Sequence, residues 1–211
     1  MIRAFILFFV ITLAGCQSAY YSAWEKLGIE KRDILADRVE SAKDAQEDAQ
    51  EQFTDALERL STLIAFEGGE LQDTYEALKD QYESSKGSAE RVGARIDSIE
   101  DVAEALFDEW SEELEQYNNE SLRRKSEQQL RQTQRRYKRL LASMRKAESS
   151  MQPVLATLQD NVLYLKHNLN ASAIGALQGE LDNIKREIES LIQDMNQSIA
   201  QSDEFIALIK Q

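Results

Sequence analysis

The sequence predicts an all-α fold: an elongated antiparallel bundle or coiled coil of about four long helices. Three observations point there. Apolar residues recur in steps of four and three along most of the chain, a helical period with none of the alternation of a strand. Pro153 is the single proline among 211 residues, so almost nothing in the chain forbids helix. Apolar residues make up 42% and charged residues 30% of the chain, a balance suited to narrow buried seams rather than broad buried faces.

Residues 1–15 precede the first seam and have a different character. Arg3 supplies a short basic start, Ala4 to Ala14 form an apolar run, and Leu13-Ala14-Gly15-Cys16 closes it. A run of this length is too short to span a bilayer and fits a secretory signal. The closing four residues resemble a bacterial lipobox, which implies cleavage before Cys16 and lipidation, palmitate included, of its thiol. Gln17 follows. In the enteric sorting rule an aspartate there retains a lipoprotein at the inner membrane, so the resemblance implies the outer membrane, facing the periplasm. Cys16 is the only cysteine, which leaves an exported chain without an intramolecular disulfide and makes packing its source of stability.

Residues 16–28 are read as a lipidated tether and residues 29–211 as the helical coiled-coil domain. Tyr20, Tyr21 and Trp24 lie within a few residues of the lipid; their amphipathic rings suit either the membrane interface or packing on the end of the bundle. The first helix carries the seam Leu35, Val39, Ala42, Gln46, Ala49, Phe53, Ala56, Leu60, Leu63 and is expected to end at Glu67-Gly68-Gly69. The second runs from Leu71 through Tyr75, Leu78, Tyr82, Ser85, Ala89, Val92, Ile96, Ile99, Ala103 and Leu106 to Trp110. Gly87 and Gly93 interrupt its propensity and are expected to mark close approach or bending. Asn118-Asn119 is the expected turn, since asparagine tolerates left-handed backbone and caps helix starts.

The third helix carries Leu130, Thr133, Tyr137, Leu140, Met144, Ala147, Met151, Val154, Leu158, Val162, Leu165 and Leu169. Pro153 removes the hydrogen bond to the carbonyl of Ser149, so a kink or break is expected there. Asn170-Ala171-Ser172 is the next expected turn. The last helix carries Ile174, Leu177, Leu181, Ile184, Ile188, Leu191, Met195, then Ser198 or Ile199, with Phe205 and Ile209. Four such helices with short turns form an up-and-down bundle most economically. The rival is one continuous helix over residues 70–169, with the first and last helices folded back onto its ends.

Charge is segregated along the chain. Residues 17–120 hold 28 acidic and 10 basic side chains, whereas residues 121–150 hold 2 and 10. Such a basic block suggests nucleic acid or anionic lipid; an exported lipoprotein rarely meets nucleic acid, and none is expected as a partner. A hairpin at Asn118-Asn119 would fold the basic block Arg123, Arg124, Lys125, Arg131, Arg135, Arg136, Lys138 and Arg139 against the acidic run Glu100 to Glu115. The leading expectation is that the two runs pair internally and set register, each exposed pair contributing about 0–1 kcal/mol, with solvated faces or a dedicated basic binding surface as the alternatives.

No residue set promises chemistry. His167 is the only histidine, and Tyr164 stands where a Glu-x-x-His metal pair would need glutamate. His167 is expected at the surface near a helix end. The seam positions of Tyr75, Tyr82, Trp110 and Tyr137 favour a core role over a ligand channel. No phosphate loop, nucleophile elbow or metal-spaced Cys/His set is present. The reading is non-enzymatic, with no catalytic, cofactor-binding or metal residues and no cofactor.

The lipobox, followed by an acidic, cysteine-poor chain of long heptad helices, resembles a proteobacterial family of coiled-coil lipoproteins of unknown function. The resemblance supplies no active-site residues. The leading expectation is a scaffold or interaction protein, held to the membrane through lipidated Cys16 and presenting its rod to another envelope protein. A carrier or holdase for apolar ligands or unfolded envelope proteins is the alternative, and a cell-wall hydrolase a distant third. Alanine-rich seams with polar insertions also allow completion by a second copy, so a homodimer is compatible with the pattern.

Overall fold

A computed structural model describes residues 30–65, 71–168 and 171–210. Its elements are α1 (Lys31–Ala65), α2 (Leu71–Glu113), α3 (Glu120–His167) and α4 (Ala171–Ile209), with a 3₁₀ turn at Leu114–Gln116 between α2 and α3. There is no strand among the described residues. The helices have 35, 43, 48 and 39 residues, so at about 1.5 Å per residue they span roughly 50 to 70 Å.

Each helix packs on its neighbours in sequence, and α4 closes the ring against α1. Cross-helix bonds fix the antiparallel sense: Lys31 reaches Glu109 and Gln81 reaches the carbonyl of Gln52 between α1 and α2, while Lys43 reaches Asp203 between α1 and α4. The fold is therefore the expected up-and-down bundle. A continuous helix over 70–169 is excluded, because the chain leaves helical geometry at Tyr117 (φ −69°, ψ 120°) and Asn119 (φ −96°, ψ 106°). Asn119 makes that turn durable. Its side-chain oxygen accepts from the backbone N–H groups of Ser121 (2.9 Å) and Leu122 (3.1 Å), satisfying two donors at the start of α3.

The heptad seams form one core. Leu35, Val39, Ala42, Ala49, Phe53, Ala56 and Leu60 of α1 are buried, as are Val92, Ile96, Ile99 and Ala103 of α2. Met144, Ala147, Met151, Val154 and Leu158 come from α3, and Ile184, Ile188, Leu191 and Met195 from α4. Between Ser198 and Ile199 the structure selects Ser198, and the seam continues through Ser202, also fully buried, to Phe205. Glu67-Gly68-Gly69 lies outside the described residues.

One expectation is narrowed and one helix boundary shifts. Pro153 does not break its helix: α3 runs unbroken from Glu120 to His167. Pro153 sits on the exposed side and Ser149, whose carbonyl loses its partner, is also exposed, so that carbonyl is not forced into the core, while Met151, Val154 and Leu155 hold both flanks there. Of the expected turn Asn170-Ala171-Ser172, Ala171 and Ser172 already belong to α4, and Asn170 lies outside the described residues. Of the two glycines, only Gly93 marks a close approach. A Cβ there would lie 2.7 Å from Oε1 of Glu148 on α3, whereas at Gly87 it would meet only the Arg91 side chain at 3.7 Å.

Candidate interaction surface

The helices α2 and α3 form one wall of the bundle, and their heptad rows give that wall its chemistry. Arg124, Arg131, Lys138 and Arg145 follow one another at intervals of seven on α3, and so share one side of the helix in a supercoiled bundle. Arg145 shows which side this is. Its guanidinium reaches Asp97 of α2 at 2.6 Å, Glu100 of α2, and Glu148 of its own helix at 2.9 Å. On α2, Asp97 and Glu104 form the matching row, with Asp101 and Asp108 beside it. The wall is basic along α3 and acidic along α2.

Internal neutralisation of the two runs was expected, and the structure corrects this. Among the described residues Arg145 alone carries ion pairs from α3 to the acidic side chains of α2. Within the block, Arg124 pairs with Glu120 and Arg131 with Glu127, each one turn away on the same helix. The acidic run spends Glu109 on Lys31 of α1. One heptad from the Arg145–Asp97 contact, Lys138 and Glu104 stand at equivalent places, both exposed and with no ion pair between them. A local i,i+4 pair orders fewer rotamers than a bridge between helices, which explains why Arg124 and Arg131 bond along their own helix.

Past the Arg145–Asp97 contact, away from the α2–α3 turn, the two helices border a groove of about 510 Å3 lined by Tyr82, Ala89, Gly93, Ala94, Leu155 and Ala156, together with the charged Lys86, Glu90 and Glu148. Small side chains on both helices open it. Beyond it on α3, Leu163 is 48% exposed. Deeper in the wall, Tyr137 stands edge-on to Phe107 (centroids 5.4 Å, planes at 66°) and tilted against Phe205 of α4 (6.3 Å). Burial, and then the Glu100 carboxylate, push its hydroxyl up to about 12. Trp110 donates its indole N–H to the hydroxyl of buried Ser126 at 2.8 Å, joining α2 to α3 near the turn.

The end of the molecule holding the α2–α3 turn is also where the described chain begins, since Lys31 bonds Glu109 there. Cys16 and the aromatics Tyr20, Tyr21 and Trp24 lie outside the described residues. Of the other sequence candidates, Tyr75, Tyr82 and Tyr137 pack against the core. His167 is exposed in the last turn of α3 beside Lys166, where positive charge suits a helix C-terminus. Among the described residues no three His, Cys, Asp or Glu side chains are grouped to hold a metal ion, and no helix is long and apolar enough to cross a membrane.

One level of the core is polar and buried. Gln46 of α1 is 0% exposed, and neither its Nε2 nor its Oε1 has a hydrogen-bond partner; the hydroxyls of buried Ser85 and Ser198 share this condition. The Lys43–Asp203 contact sets Gln46 level with Ser198 and Ser202 of α4. The signal was present, since Gln46, Ser85 and Ser198 occupy seam positions where apolar residues belong. Comparison with known proteins adds one finding: the family model described as "Protein of unknown function (DUF2959)" matches residues 20–209. No curated protein matches the chain, and no solved structure does.

Proposed function

The chain belongs to the DUF2959 family of proteins of unknown function, and from that premise we propose that it is a lipid-anchored, non-enzymatic scaffold of the bacterial envelope. Cys16 is the anchor, acylated after removal of residues 1–15, and the bundle stands on the periplasmic side of the outer membrane. The observation that carries this reading is Leu13-Ala14-Gly15-Cys16, placed a short tether ahead of a helical body. Two acyl chains or more hold a protein stably, each buried methylene contributing about 0.8 kcal/mol. The helical rod above the tether is what the anchored chain offers to an envelope protein.

Anchorage is tested by fractionation. Cys16→Ser, exported behind the signal of a soluble protein, should appear free in the periplasm while the native chain sediments with outer membranes. An unlipidated chain that still resists salt extraction from membranes would overturn lipid as the anchor. Crosslinking in intact cells followed by affinity capture addresses the role. One stoichiometric envelope partner supports the scaffold; many unfolded clients, or co-purifying lipid, would replace it with a carrier or holdase.

A further inference from the structure

We infer that two copies of this chain associate side by side and parallel, through their α2–α3 walls, with the acidic row of each against the basic row of the other. Along the α2–α3 wall the chain leaves much of its charge unshared. From Ile96 to Asn119 there is no basic residue, and from Gln128 to Ala147 no acidic one. Contacts of Asp97 with Arg145 and of Trp110 with Ser126 bracket these runs and set them at the same height along the rod. Glu104 and Asp108 on one side, and Arg135 and Lys138 on the other, are exposed and carry no ion pair among the described residues, while Arg131, also exposed, pairs only with Glu127 one turn away on its own helix.

Symmetry then selects the orientation. A two-fold axis parallel to the rod places α2 of one copy over α3 of the other at unchanged height, so acid meets base twice in a self-complementary interface. A two-fold axis perpendicular to the rod places α2 on α2, and wherever the runs overlap acid meets acid. The parallel solution also brings both copies of Lys31, at the start of α1, to one end. That is the arrangement two chains anchored in a single membrane require, and here alone the inference rests on the anchoring reading.

The dimensions suit a dimer. The basic row from Arg124 to Arg145 is about 30 Å long at about 1.5 Å per residue, and two adjacent helices make a wall about 20 Å wide. With the groove beyond it, the wall reaches the roughly 800 Å2 per partner of a standard interface. Ala94 and Ala156 at the groove keep side chains short where the backbones would approach, and exposed Leu163 adds apolar contact.

The test uses the full chain, solubilised from membranes in mild detergent and sized by light scattering. The native protein should be a dimer whose fraction falls several-fold between about 0.1 M and 1 M salt, as the screening length drops from about 10 to 3 Å. One variant carries Glu104→Lys and Asp108→Lys, and a second carries Arg131→Glu and Lys138→Glu. Each alone then opposes like charge to like and should be monomeric. Mixed, the two should form only heterodimers, because both contacts become attractive. Circular dichroism of each variant checks that helix is retained, all four sites being exposed.

A monomeric native chain, or single variants that dimerise as the native does, would overturn the inference. Heterodimers that fail to form between folded variants would overturn it too. A chain that dimerises as described but is not released from membranes by Cys16→Ser leaves the dimer standing and removes only the anchor. A monomeric chain that Cys16→Ser does release has the converse meaning.

Discussion

At the scale of single residues, Gln46 is the most consequential side chain in the core. A buried polar group without a partner costs about 1–3 kcal/mol, and Gln46 has two such atoms. Gln46→Leu should therefore raise the unfolding free energy by about 1–3 kcal/mol, measured as a higher urea midpoint at unchanged slope. A lower midpoint would mean that the amide makes contacts worth more than its burial costs. A polar residue retained at a seam position can fix register at the expense of stability; that role would show as a less cooperative transition in the leucine variant. The residue was legible in the sequence as a seam member, but its lack of partners was not. Hydrogen-bond satisfaction depends on what three other helices place at the same height, and heptad spacing within one helix carries no such information.

At the scale of elements, glycine gives a clean comparison within one helix. Gly87 and Gly93 both lie inside α2 and both cost helix propensity, about 0.5–1 kcal/mol each relative to alanine. Gly87→Ala should recover that amount, seen as a rise in thermal midpoint, because the space around it is open apart from the Arg91 side chain. Gly93→Ala should recover less or lose stability, since Glu148 must withdraw from a new methyl group and Arg145 loses a well-placed partner. Equal gains at the two sites would refute the close approach. The helices themselves were legible because steps of four and three continue for many turns, and because Asn118-Asn119 breaks the frame with residues that cap. At Pro153 only the break is excluded: the proline lies on the exposed side, and Met151, Val154 and Leu155 hold both flanks in the core, so packing carries the helix past the missing hydrogen bond. Charge pairing misled for a physical reason. Sequence separation across a hairpin shows which residues share a height, yet side-chain reach and competing i,i+4 partners decide who bonds.

For the molecule as a whole, shape follows from helix length. Small-angle scattering on a soluble fragment of residues 25–211 should give a longest dimension near 70–75 Å, set by the 48 residues of α3. A near-spherical particle would contradict the rod, and a length about twice as great would revive the continuous helix over 70–169. The candidate surface was half legible: both charge runs stand out in the sequence, while their placement side by side on one wall, joined through Arg145, required the packed structure. Ring closure has a mechanical consequence. Alpha1 is gripped along its length by α2 and α4, through contacts such as Lys43 with Asp203 and Gln81 with the Gln52 carbonyl. Tension applied at Lys31 along the rod axis, with the opposite end held, loads both seams in shear, so their contacts resist together instead of peeling one turn at a time. The same force applied across the axis would unzip them in sequence, making this a strut that is strong in pull and weak in bend.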